Sequence, residues 1–224
     1  MSAVVLILRP EPAGRRTAQH IISLGFAPIL YPLFALEAVG WAPPADSFDA
    51  LLLTSANAVL FGGAALTHYQ DLPVFAVGPA TARAAIDAGF RDVHPGGGNV
   101  AATVPMIASA GHAHVLHPCG DMVRPYDPCG LDVRRAVVYR TVPAGNAAGL
   151  AALLPAEGEL AALVHSPRAG ERLAALISPA DRRRIAIAAI SPAAAKACGQ
   201  GWRSMAVAVV PDEDALLECL QMLV

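Results

Sequence analysis

The sequence predicts an α/β protein in which helices cover parallel sheets, and three observations lead there. Short apolar runs of β-forming residues alternate with alanine-rich stretches of helical spacing along the chain. Turn residues stand where each run must change direction, at Gly25, Pro32, Gly78-Pro79 and Gly89. Apolar residues are 55% of the 224 and charged residues 15%, enough to build buried strands and to exclude a disordered chain.

The first apolar run, Val4–Leu8, ends at Arg9-Pro10-Glu11 and has no basic flank before it, which reads as a buried strand and not as a signal peptide. Ala13–Leu24 has helical spacing and stops at Gly25. Ala27–Tyr31 is a second strand, ended by Pro32. Ala50–Leu53 is a third, followed by Thr54-Ser55, residue types that cap a helix. Val74–Val77 is a fourth; Gly78-Pro79 then starts a helix over Ala80–Ala88, closed by Gly89. Gly96-Gly97-Gly98 lies ahead of a helix near Val100, as a turn or as a phosphate cradle. Val137–Thr141 is a β-rich run leading into Pro143–Asn146.

Segments recur in the two halves. FDALLLTSANAV matches LAALVHSPRAGE with Ser55 on Ser166, and VFAVGPATARAAIDAGF matches AIAAISPAAAKACGQGW with Pro79 on Pro192 and Arg83 on Lys196. VVLILRP has a partner in HVLHPCG, and Leu30-Tyr31-Pro32 one in Val138-Tyr139-Arg140. Two α/β domains of similar build are therefore expected, with turn-rich connectors near Ala42–Asp46 and Pro143–Asn146. The boundaries expected are residues 1–33 with 143–224 for one domain, 47–135 for the other, and 34–46 with 136–142 as connecting strands. A cleft between two such domains is a natural ligand site.

Several chemistries are excluded. There is no GxxxxGK[ST], no GxGxxG at a strand-to-helix turn, no GxSxG and no HExxH. A formal net charge of −2 argues against a nucleic-acid-binding face. Mean hydropathy is high at +0.48, yet Pro, Gly or charge interrupts every window long enough to span a membrane, so no membrane partner is expected. Four cysteines without a CxxC pair suit reduced thiols and a cytoplasmic location. His112, His114, His117 and Cys119 lie close together, but on a strand the first two face away from the second two. Surface or loop histidines are the expectation there, and no metal.

Thr54-Ser55, Gly78-Pro79-Ala80-Thr81, Ser166-Pro167 and Ser191-Pro192 all sit where a strand ends and a helix begins. Backbone N–H groups and the positive helix end converge at such places, so they either cap helices or receive anions. Lys196 is the sole lysine; the other basic residues are arginines, whose planar forks suit carboxylates.

The ordered set of segments resembles the uroporphyrinogen-III synthase family: Arg9-Pro10, Leu24-Gly25-Phe26, FDALLLTSANAV, FAVGPATARAAIDAGF, VLHPCGD, VVYRT, HSP and AISPAAAKACGQG. The resemblance implies two flavodoxin-like parallel-sheet domains joined by a two-stranded linker, with the cleft between them. It implies a monomeric hydro-lyase of heme biosynthesis, without cofactor or metal, that cyclises hydroxymethylbilane to uroporphyrinogen III with inversion of ring D and loss of water. Tyr139 in VVYRT matches the family's cleft tyrosine and would donate to the departing hydroxyl. Thr54, Ser55, Thr81 and Ser166 fall on hydroxyl positions that would hold substrate carboxylates. Arg9 is the candidate carboxylate clamp; Arg83, Arg124 and Lys196 are further candidates. The chain departs from the family at Ser191-Pro192-Ala193-Ala194, where two hydroxyls are missing, and at His165 and Arg168, of which Arg168 would compensate as a substrate contact. A non-catalytic module that binds a tetrapyrrole or another polyanion is the alternative.

Overall fold

The computed structural model describes residues 2–224. In chain order the elements are β1 (Val4–Ile7), α1 (Ala13–Ser23), β2 (Ala27–Leu30), β3 (Phe34–Ala38), β4 (Ala50–Leu53), α2 (Ala56–Gly62), β5 (Val74–Ala76), α3 (Pro79–Asp87), β6 (Val93–Pro95) and α4 (Val100–Ser109). There follow β7 (His114–Gly120), β8 (Asp132–Pro143), α5 (Ala147–Ala151), β9 (Leu160–Val164), α6 (Pro167–Leu176), α7 (Pro179–Arg182), β10 (Ile185–Ala189), α8 (Pro192–Cys198), β11 (Ser204–Val207) and α9 (Glu213–Gln221). The fold is mixed α/β with parallel sheets.

Two compact units result: unit 1, the described residues through Ala35 with Val142–Val224, and unit 2, Leu36–Thr141. The sheet of unit 1 runs β2-β1-β9-β10-β11, and the second sheet runs β3-β8-β7-β4-β5-β6. Residues 34–46 and 136–142, expected as the connecting strands, contain β3 and much of the C-terminal half of β8, which are neighbours in that second sheet.

The sequence repeat is visible in the register. Ala162 faces Ile187 in the first sheet and Leu51 faces Val74 in the second, as the matches of β9 with β4 and β10 with β5 require. The spatial order β2-β1-β9-β10-β11 then corresponds to β8-β7-β4-β5-β6, with the chain order circularly permuted. Only unit 1 has flavodoxin-like chain order, 2-1-3-4-5 within the unit. Unit 2 departs from it because, after the added edge strand β3, its chain begins at the strand equivalent to β9. One sequence match does not survive. Ile7 faces Leu30, and the equivalent His117 faces Arg135, so Tyr31 corresponds to Ala136 and not to Tyr139.

The central strands are buried on both faces, which is why they read as unbroken apolar runs. Alternation along β1 sends Val5 and Ile7 into one core layer of unit 1 and Leu6 and Leu8 into the other. In unit 2, Leu51 and Leu53 face one layer while Ala50 and Leu52 face the other. Gly25 and Gly89, at φ +85° and +93°, take the left-handed conformation that ends α1 and α3. One crossover lacks its helix. Between the parallel strands β7 and β8 the chain returns through an irregular loop, since Pro125 and Pro128 deny a helix its backbone donors. Among the described residues no helix is long and apolar enough to cross a membrane.

Candidate functional site

The carboxyl ends of parallel strands collect helix N-termini and loops, and in unit 2 they enclose a pocket of about 350 Å³. Its wall takes Thr54 from just past β4, Val77 from just past β5, Asn99 and Val100 from the start of α4, Cys119 and Gly120 from β7, and Tyr139 from β8. The helix-free loop closes it with Met122, Val123, Arg124 and Tyr126. The lining is largely apolar, with hydroxyls and one guanidinium, and includes no carboxylate.

Two backbone features place Tyr139. The β7/β8 register slips by one residue, Cys119 facing Val137 and Gly120 facing Tyr139, so Val138 is an inserted bulge residue. Gly120 then leaves room for the ring: a Cβ there would lie 2.7 Å from Tyr139 Cε2 and Cζ and 3.0 Å from the hydroxyl. Phe61 packs against the ring at a centroid distance of 5.7 Å. Burial raises the phenol's pKa above its ordinary value, while the neighbouring Ser55 and Asn57 side chains oppose the rise. The group is therefore a neutral O–H at any physiological pH, fit to donate a hydrogen bond.

His117 corrects the surface-or-loop expectation: it is completely buried in β7. Its Nδ1 lies 2.9 Å from the Tyr126 hydroxyl and its Nε2 3.1 Å from Thr54 Oγ1. Burial, and then the charge of Arg135, push its pKa down to about 4, so the ring is neutral. Cys119 lies on the same side of β7 as His117, in keeping with a two-residue strand period, and burial pushes its thiol up. His112 and His114 go elsewhere, to Asp49 at 3.9 Å and Asp132 at 3.3 Å.

Of the other predicted residues in unit 2, Ser55 caps α2 by accepting from Asn57 N–H at 3.2 Å. Thr81 is buried in the first turn of α3. Arg83 is exposed and pairs with Asp87 at 3.5 Å. Thr54, Ser55 and Tyr139 are thus brought together, and Arg124 joins them at the pocket rim.

The predicted residues of unit 1 stand around a second pocket or on helices of that unit. Arg9 donates to Glu213 at 2.8 Å, and Glu213 also accepts from Thr17 and from His165 Nε2, the latter at 3.2 Å. Burial would raise the Glu213 carboxyl, but the bonds from His165 and Thr17 and the charges of His165 and Arg9 hold it down to about 2. Burial lowers the Arg9 pKa despite this partner, yet a guanidinium stays charged, so the cluster is an internal ion pair. Ser166 and Ser191 cap α6 and α8, accepting from Ala169 N–H at 3.2 Å and Ala194 N–H at 3.3 Å. Arg168 lies over the Phe34 ring, 4.8 Å from its centroid, and Lys196 is exposed on α8.

Sequence reasoning missed Gly120, Tyr126, His117 as a buried hub, and Glu213. An aromatic between two prolines just past a strand end was a usable signal for Tyr126. Glu213 had none, since it meets Arg9 only through the fold.

The family described as Uroporphyrinogen-III synthase HemD matches residues 15–218 of the chain. Among the curated proteins nothing matches. Among solved structures, the uroporphyrinogen-III synthetase of Helicobacter pylori is similar over 100% of both chains, with 19% identity and a TM-score of 0.70, a likeness of fold. A mutant uroporphyrinogen III synthase from the extremely thermophilic bacterium Thermus thermophilus matches at 20% identity over 99% of this chain and 97% of that one, with a TM-score of 0.48.

Proposed function

Because the chain belongs to the uroporphyrinogen-III synthase family, lyase-type enzymes of heme biosynthesis, we propose that it converts hydroxymethylbilane to uroporphyrinogen III as a hydro-lyase, with Tyr139 at the reacting end. The observation that carries this reading is a neutral, half-buried phenol held in a carboxylate-free pocket between hydroxyls and an arginine. The substrate's C–OH bond breaks as Tyr139 hydrogen-bonds to the departing oxygen, which takes up the ring A pyrrole N–H proton and leaves as water, yielding an azafulvene on ring A. Ring D attacks through its substituted α-carbon, a spiro intermediate forms and fragments, and ring D closes inverted. The final loss of a ring proton, which returns to the ring A nitrogen, restores the pyrroles.

The uncatalysed closure gives the type I isomer, so the protein's task is chiefly orientation, which contributes about 7–11 kcal/mol in favourable systems. Thr54, Ser55 and Arg124 suit the acetate and propionate side chains. Cys119, Val77 and Val100 suit the pyrrole faces. Arg9, Ser166, Arg168, Ser191 and Lys196 remain proposals for further carboxylate contacts, with Arg9 the weakest because Glu213 already neutralises it.

The test is to supply fresh hydroxymethylbilane, oxidise the products and separate the I and III isomers. Predominantly type III product supports the reading. Type I alone, at the protein-free rate, overturns it and leaves the non-catalytic tetrapyrrole binder.

A further inference from the structure

His117, which joins Tyr126 to Thr54, does not line the pocket and has no part in the chemistry given above. Its hydrogen bonds can be assigned by counting donors and acceptors. A neutral imidazole has one N–H and one bare nitrogen, so of its two hydroxyl neighbours one donates to the ring and the other accepts from it. The neighbours are the Tyr126 hydroxyl at Nδ1, 2.9 Å, and Thr54 Oγ1 at Nε2, 3.1 Å.

Two observations decide which is which. Arg135 stands over the Tyr126 ring, its guanidinium 5.5 Å from the centroid, and a positive charge there favours the phenol as a proton donor. A guanidinium has donors only, so the phenol proton cannot go to Arg135. The phenol is also the more acidic hydroxyl, and its contact with the ring is the shorter. Tyr126 O–H therefore donates to Nδ1, and Nε2–H donates to Thr54 Oγ1.

We propose that Tyr126 and His117 form a hydrogen-bonded relay whose outcome is to fix the Thr54 hydroxyl as a hydrogen-bond donor into the unit 2 pocket, where it receives a carboxylate of the ligand. Thr54 accepts from the ring and has its own proton left over, and it lines the pocket. With the opposite tautomer its proton would be tied to the ring and only lone pairs would face the ligand, repelling an anion. His117 is thus a positioning residue: it never touches ligand, yet it sets the polarity of a group that does. The low pKa agrees, since a charged ring would donate to both hydroxyls and break the direction of the chain. The carboxylate identity rests on the proposed function; the direction of the relay does not.

The closing experiment has two readouts on the full chain. Side-chain nitrogen NMR of the ligand-free protein at neutral pH reports the His117 tautomer. A proton on Nε2 is expected, and a proton on Nδ1 overturns the relay. Kinetics with hydroxymethylbilane then compare Thr54→Val, Thr54→Ser, His117→Leu and His117→Gln. Thr54→Val and His117→Leu should each raise KM about tenfold with kcat little changed. Thr54→Ser and His117→Gln, which retain a hydroxyl and a side-chain N–H respectively, should restore KM to within about threefold of the parent. A His117→Leu variant with parental KM beside an impaired Thr54→Val overturns the proposal. Should the chain form no type III isomer, the proposed function falls, while the tautomer measurement, which needs no substrate and does not depend on the variants folding, still decides the relay.

Discussion

The two units place equivalent residues around equivalent pockets and fill them with opposite chemistry. Arg9 in unit 1 corresponds to Cys119 in unit 2, His165 to Thr54, Ile190 to Val77, and the α9 start Asp212-Glu213 to the α4 start Asn99-Val100. In unit 1 the position is satisfied from within. Glu213 draws Arg9, Thr17 and His165 onto itself, and the positive end of α9 favours that carboxylate further. In unit 2 the acid is a valine and the arginine a cysteine, so the hydroxyls and Arg124 have no internal anion to answer. The difference teaches where a ligand is needed: a pocket that supplies its own counter-ion is structural, and one that supplies donors without an acceptor awaits a partner.

The sharpest way to break this comparison is at the tyrosines. Tyr139→Phe should slow type III formation about a hundredfold with the fold intact, whereas Tyr31→Phe should leave the rate unchanged. The Tyr31 hydroxyl is occupied twice by the Asn146 backbone, accepting from its N–H and donating to its carbonyl, each at 2.9 Å. Isomer-resolved rates decide it, and an unaffected Tyr139→Phe would remove the assigned donor.

Glycines give the next contrast. Gly120→Ala would press on the Tyr139 ring and should lower kcat about tenfold, whereas Gly145→Ala would press on Tyr31 from a position at φ +66° and should lower only the melting temperature. Parallel kinetic and thermal measurements on the two variants would separate a catalytic from a structural tyrosine.

Acid should soften the units in sequence. His117 stays neutral in the fold down to about 4, while an unfolded histidine titrates near 6.5, so the unfolded state binds the extra proton between those values. Unit 2 should lose about 3 kcal/mol as pH falls from 6.5 to 4 and nothing further from this group below that. Glu213 acts lower: its stabilisation is whole above its ordinary value of 4.5 and is lost as pH falls toward about 2. Each unit carries one of the two tryptophans, Trp202 in unit 1 and Trp41 in unit 2. Single-tryptophan variants, Trp41→Phe and Trp202→Phe, let fluorescence follow each unit. Parallel weakening of both between pH 6.5 and 4.5 would contradict the assignment.

The smallest effect belongs to a cap. Ser191→Ala should cost about 1 kcal/mol of unit 1 stability through loss of its bond to Ala194 N–H, as urea titration would measure.

What the sequence disclosed follows the range of the forces involved. Ala50–Leu53 and the Ser55 cap were legible to the residue, because burial on both faces and capping leave local marks. The matches of β4 with β9 and β5 with β10 hold in register for the same reason. The Tyr31–Tyr139 match failed because a tyrosine beside a strand end carries no register information, and the bulge at Val138 has no composition of its own. His117 was misread because histidine is usually exposed; its burial is set by Thr54 and by Tyr126 on a crossover that two prolines keep from being a helix. The Arg9–Glu213 pair joins opposite ends of the chain, beyond the reach of any local pattern.

The insertion of unit 2 between β2 and α5 has a consequence for how the polypeptide is made. β1 must pair with β9, Val4 opposite Leu160, so the centre of the first sheet closes a loop of about 150 residues. Unit 2 is contiguous, and its entering and leaving strands, β3 and β8, are neighbours in one sheet. A ribosome delivers all of it before β9 emerges. Once folded, it shortens the effective loop about threefold and lowers the closure entropy by about 1 kcal/mol. Until then β1 and β2 wait with an apolar edge unpaired, so a lesion that slows folding of unit 2 prolongs the exposure of the nascent amino-terminal strands to chaperones and proteases.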